Sequence, residues 1–60
     1  MTDMITLIND DSIVKFTPAI NGRMWFDKYQ NGSLLTTMAV PTDTVDDLVM
    51  DLMNSGYYME

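Results

Sequence analysis

The chain contains no cysteine and no histidine. Disulfide staples, thiolate or imidazole zinc sites and histidine-based acid/base catalysis are therefore excluded. At sixty residues, such a chain buries only ~60% of the surface its unfolded form exposes. Apolar packing alone must hold it, helped at most by self-association. Basic residues are scarce: three lysines and arginines stand against nine acidic residues, for a net charge of −6. Affinity for phosphate backbones comes from lysine and arginine displacing counterions, so direct nucleic-acid binding is disfavoured, whereas a basic partner would be attracted. No apolar run approaches the length needed to span a bilayer, and Met1-Thr2-Asp3-Met4 lacks the positive region of a signal peptide. A cytoplasmic location and no membrane contact are expected. Internal repeats and low-complexity linkers are absent too, which leaves one domain over residues 1–60.

What is present is an ordinary globular share of hydrophobic residues, 47%, with seven methionines. Flexible thioethers fill irregular core gaps or adapt to a partner's surface. Charge is unevenly distributed. Residues 1–41 hold four acids against three bases, whereas residues 42–60 hold Asp43, Asp46, Asp47, Asp51 and Glu60 with no base. The last third of the chain thus carries −5 of the total −6.

Hydrophobic period assigns the elements. Met4-Ile5-Thr6-Leu7-Ile8 reads as a strand closed by the turn cluster Asn9-Asp10-Asp11-Ser12. Ile13 to Thr17 forms a second strand, with Val14 and Phe16 on one face and Ile13, Lys15 and Thr17 on the other, until Pro18 interrupts pairing. After the Asn21-Gly22 turn, Arg23 to Tyr29 alternates Met24, Phe26 and Lys28 against Arg23, Trp25, Asp27 and Tyr29. Asn31-Gly32 fits a two-residue hairpin turn into a returning strand, Ser33 to Val40, ended by Pro41. The period then lengthens: Val45, Leu48, Val49, Leu52 and Met53 occupy one face of an amphipathic helix. Thr42 or Thr44 can cap its start, Thr44 and Asp47 form a variant capping box, and Gly56 suits the left-handed residue after its end. Tyr57 to Glu60 either packs beside the helix or adds a short edge strand. The expected fold is α+β: a small antiparallel four-stranded meander with one C-terminal amphipathic helix packed on one face.

Opposite the helix's apolar stripe lie Asp43, Asp46, Asp47, Met50, Asp51 and Asn54. An acidic first turn suits the positive end of a helix dipole, but Asp51 lies beyond that turn and no lysine or arginine four residues on balances any of these acids. A row of carboxylates unbalanced in this way can mimic the spaced charge of a nucleic-acid backbone and enter a partner's basic cleft. In size and charge the chain resembles small acidic viral proteins that disable host nucleic-acid enzymes, a likeness of composition only. The aromatic residues Trp25, Tyr29, Tyr57 and Tyr58 make a second candidate contact surface, since tyrosine and tryptophan dominate interface energetics.

Other motifs lead nowhere comparable. Asn9-Asp10-Asp11-Ser12 lacks the alternating acids, central glycine and terminal glutamate of a calcium loop. Asp11-Ser12-Ile13 is similar to the Asp-Ser-Leu site where acyl carrier proteins accept a phosphopantetheine arm, yet there the serine opens a helix in an all-helical fold, whereas β-like segments flank Ser12. Ser12, Ser33 and Ser55 have no histidine to activate them, and no phosphate-cradling loop is visible. The chain is expected to be a non-enzyme that needs neither cofactor nor metal. Two functions remain: an acidic inhibitor or modulator occupying a basic site on a nucleic-acid-handling protein, or an assembly module that forms homo-oligomers or joins a larger complex through a sheet edge or its aromatic face.

Overall fold

The structure, a computed structural model, describes residues 4–60. Strands β1 (Ile5–Asn9), β2 (Ser12–Pro18), β3 (Arg23–Gln30) and β4 (Ser33–Pro41) follow one another as an antiparallel meander. A 3-10 turn at Thr42–Thr44 leads into α1 (Val45–Asn54), and a two-residue strand β5 (Tyr58–Met59) closes the chain. The sheet order is β4-β3-β2-β1-β5.

The hairpin turn between β3 and β4 has the backbone its sequence demands. Asn31 at φ 53° and Gly32 at φ 82° both take the left-handed values of a type I′ turn, which asparagine tolerates and glycine adopts without strain. Beyond that turn the pairing slips. Lys28 faces Thr36 while Tyr29 faces Leu34, so Leu35 has no partner and forms a bulge.

Register sorts the side chains into two faces. On one, Leu7 lies opposite Val14, Phe16 lies between Ile5 and Phe26, and Met24 lies between Pro18 and Val40. Leu7, Val14 and Phe16 are fully buried there, and the Phe16 and Phe26 rings meet edge to face at 5.3 Å. Fully burying such a side chain contributes about 1.5–3 kcal/mol. Helix α1 covers this face as its period foretells. Val45 joins the core cluster, and Leu48, Val49 and Leu52 pack against it half-buried. Met53, the last member of the stripe, remains 48% exposed.

Two sequence expectations need correction. The sheet has five strands rather than four, because a backbone reversal after α1 carries the C-terminus back beside β1. Gly56 at φ 107° makes the reversal; Tyr57 N–H donates to Leu52 C=O and Gly56 N–H to Met53 C=O, the paired bonds of a Schellman cap. Tyr58 then pairs with Ile8 and Met59 with Leu7. The Thr44/Asp47 capping box does not form: Thr44 has a near-helical backbone (φ −97°, ψ −7°) after the 3-10 turn, and its hydroxyl donates back to the Pro41 carbonyl at 2.8 Å. The tail, for which the sequence leaves two courses open, takes both. Tyr57 packs against the core cluster, and Tyr58–Met59 adds the edge strand.

Candidate functional surface

Helix α1 presents its polar face to solvent because its opposite face is pinned to the sheet by Val45, Leu48, Val49 and Leu52. Asp43, Asp46, Asp47, Met50, Asp51 and Asn54 are all exposed. Met50, at 62% exposure, is the one large apolar side chain among them. From Asp43 through Asp51 the carboxylates spread over about 13 Å of axis, on average one charge per ~4 Å, at uneven intervals of three, one and four residues. A single strand of B-DNA carries one charge per ~3.4 Å of its axis. Among the described residues no three acidic side chains converge as metal ligands would. The acids are spread over the exposed side of the helix rather than gathered at one point. The Ser55 hydroxyl donates to the Asp51 backbone carbonyl and is therefore no partner of the Asp51 carboxylate.

The sheet face away from α1 is organised in cross-strand rows. Tyr58, Ile8, Ile13, Tyr29 and Leu34 lie successively opposite one another, making an apolar row across all five strands. Next to it runs a polar row, Thr6, Lys15, Asp27 and Thr37. Within that row the Thr37 hydroxyl donates to Asp27 Oδ1 at 2.6 Å. Lys15 Nζ reaches diagonally to 5.8 Å from the centre of the Tyr29 ring, a cation–π distance. Trp25, 46% exposed, pairs with Thr17 and Ala39 on the far side of the polar row. It stands four residues from Tyr29, about 13 Å at the usual strand rise.

The four aromatic residues singled out in the sequence therefore do not form one patch. Tyr29 and Tyr58 share the apolar row, Trp25 stands apart on the same face, and Tyr57 points to the helix side. There its hydroxyl lies 2.6 Å from Ser12 Oγ, and Ser12 itself is only 7% exposed. This contact gives Ser12 a structural place in β2, unlike the helix-opening serine of a carrier protein. Lys28 also belongs to the helix side, since it pairs with Val14. Lys15 is the cation beside Tyr29. Sequence reasoning missed Ile8 and Leu34 as members of this surface, because the row exists only once the register of all five strands is set and the bulge at Leu35 has fixed the orientation of Leu34.

A shallow depression of about 260 Å³, lined by Pro18, Ala19, Gly22, Arg23, Met24 and Thr42, opens at the other end of the sheet. Arg23 is its one ionisable group. Among the described residues no helix is long and apolar enough to cross a membrane.

These features define a small α+β protein with one antiparallel sheet, one helix and an acidic ridge. Comparison with protein-family models, with curated proteins and with solved structures yields no match, so the functional reading rests on this geometry.

Proposed function

We propose that this protein is a binding inhibitor or modulator, of the virus-encoded type, that lays the outer face of α1 in a basic cleft of a nucleic-acid-handling protein and excludes nucleic acid by occupation. The observation that carries the reading is the row of Asp43, Asp46, Asp47 and Asp51, all exposed on one side of the helix, with no lysine or arginine anywhere in residues 42–60. Negative charge of an average density near that of a phosphate backbone steers the encounter. Met50, with its adaptable thioether, supplies apolar contact between Asp47 and Asp51, and Asn54 offers both a donor and an acceptor one turn further on. No cofactor takes part in such a mechanism, and direct binding to nucleic acid is opposed by the same charge.

The test is capture of cytoplasmic proteins on the immobilised chain, followed by elution with short duplex DNA and, separately, with salt. The reading expects captured proteins that duplex DNA displaces, and an Asp47→Asn/Asp51→Asn variant that holds them at least tenfold more weakly, as loss of two cleft charges requires. Capture that resists duplex DNA, or that the variant leaves unchanged, would refute the mimicry.

A further inference from the structure

A different part of the molecule carries a second interaction. Strand β4 is the outer strand of the sheet and the longest, nine residues from Ser33 to Pro41. One side of its backbone bonds to β3 and the other faces solvent. Edge strands in soluble proteins are usually made unsuitable for pairing by charge, proline, shortness or a bulge. The opposite edge, β5, follows that pattern: it is two residues long and abuts Glu60. Strand β4 follows it only at its ends. The bulge at Leu35 protects the first part and Pro41 the last, leaving Thr36-Thr37-Met38-Ala39-Val40 as an open window. That window has no charge, in a chain with nine acids and three bases, and Thr36, Thr37 and Val40 in it are β-branched strand formers.

We infer that two copies of this chain pair antiparallel along Thr36–Val40, joining their sheets into one of ten strands about a two-fold axis at Met38. The register follows from the faces. Thr36, Met38 and Val40 point to the helix side, and Thr37 and Ala39 to the other, as their partners Lys28, Phe26, Met24, Asp27 and Trp25 require. Centring the axis on Met38 sets Thr36 opposite Val40 of the second copy, Thr37 opposite Ala39 and Met38 opposite its equivalent. Every pair then shares a face and the whole window is used. A centre on Thr37 would run into the bulge after one residue on that side.

The occupant is a second copy because the edge is self-complementary and because the paired window itself carries none of the charge of a −6 chain. In the antiparallel arrangement the two Asp43 residues, five positions beyond Met38, lie at opposite ends of the pairing, about 30 Å apart at the usual strand rise. Met38 is 49% exposed although it faces the helix side, so α1 leaves room for two thioethers to meet across the axis. The area is modest. A standard interface takes about 800 Å² from each partner, roughly a fifth of the 4203 Å² that this chain exposes. A five-residue strand pair falls below that, which places the dimer in the weak class, assembling in the micromolar range or above.

The pairing stands on β4 and is independent of what α1 binds. Its test is sedimentation from low micromolar to near-millimolar concentration, together with two substitutions at Met38 and one at the other edge. The mass should move from one chain to two as concentration rises. Met38→Lys, which sets like charges directly opposite across the axis while its aliphatic stem keeps the contact with Phe26, should weaken the dimer about tenfold. Tyr58→Lys on β5 should leave it unchanged. Met38→Cys, the sole thiol in the chain, should form a disulfide-linked dimer on mild oxidation at concentrations where the parent associates. A single-chain mass at every concentration, a dimer indifferent to Met38→Lys or sensitive to Tyr58→Lys, or failure of Met38→Cys to cross-link would overturn the inference.

Discussion

Gly56 and Tyr57 hold the end of the chain by different physics, and each can be tested alone. Gly56 sits at φ 107°, where an added Cβ would meet only ordinary contact, 3.6 Å from Asn9 Nδ2. The penalty for Gly56→Ala is therefore backbone strain rather than crowding, about 1 kcal/mol or slightly more. In a domain of this size that lowers Tm by about 4–8 °C, measurable by circular dichroism. Tyr57 acts through its hydroxyl. Ser12 Oγ is 2.6 Å from it, and Ser12 is buried, so Tyr57→Phe leaves a hydroxyl in the core side of β2 without its partner. Such an orphaned group destabilises by about 1–3 kcal/mol. Both substitutions loosen β5, and slow amide exchange at Glu60, whose N–H donates to Thr6 C=O, should be lost before that of β2 and β3. If Tyr57→Phe melted like the parent, the Ser12–Tyr57 contact would be incidental.

Among the elements, α1 sets stability against binding. Asp47 and Asp51 are four residues apart, a like-charged pair on one helix face, and the last turn has no basic residue. Asp51→Lys replaces that repulsion with an attraction and puts a cation nearer the negative end of the helix dipole. It should raise stability by about 0.5–1 kcal/mol while sharply weakening capture of a basic partner. A variant that becomes more stable and binds as before would mean that the acids serve solubility only. This helix was legible in the sequence because its signal is periodic and local: five apolar residues at helical spacing and a glycine at the end. The four meander strands were legible for the same reason, since Asn21-Gly22 and Asn31-Gly32 mark turns and the alternation between them assigns faces. What stayed hidden depends on distant pairing. Tyr58–Met59 is too short to show a pattern, and its partner β1 lies some fifty positions away. The slip at Leu35 has no glycine to mark it. The Thr44 cap failed because the preceding 3-10 turn, which no residue announces, rotates the hydroxyl back to Pro41. The acidic side of α1 could be read in advance since it follows from the helix alone. The apolar row from Tyr58 to Leu34 could not, because it is assembled from five strands.

For the whole molecule the deciding quantity is the separation of charge from core. Residues 42–60 carry −5 while the preceding residues are nearly neutral, and the buried core consists of Leu7, Val14, Phe16, Met24, Val40 and Val45. A core so small leaves a thin margin, so mutual repulsion along α1 is a visible fraction of the stability. Successive carboxylates four residues apart are separated by about 6 Å of helix axis. The Debye length is about 10 Å at 0.1 M salt and 3 Å at 1 M, so ordinary buffer screens this repulsion only partly and concentrated salt screens it well. Sodium chloride should therefore raise Tm between 0.1 M and 1 M, and the same addition should weaken the contact with a basic partner. Stability and affinity then move in opposite directions with one variable. An Asp51→Asn variant, which relieves the repulsion with Asp47 and leaves the acids of the first turn in place, separates this from any general effect of salt on apolar burial, which it would share with the parent. Its Tm at low salt should already lie above that of the parent, and its further rise with salt should be smaller. An equal slope for the two proteins would mean that the carboxylates of α1 do not strain the fold, and the reading of the acidic ridge as charge held in place for a partner would lose its thermodynamic support.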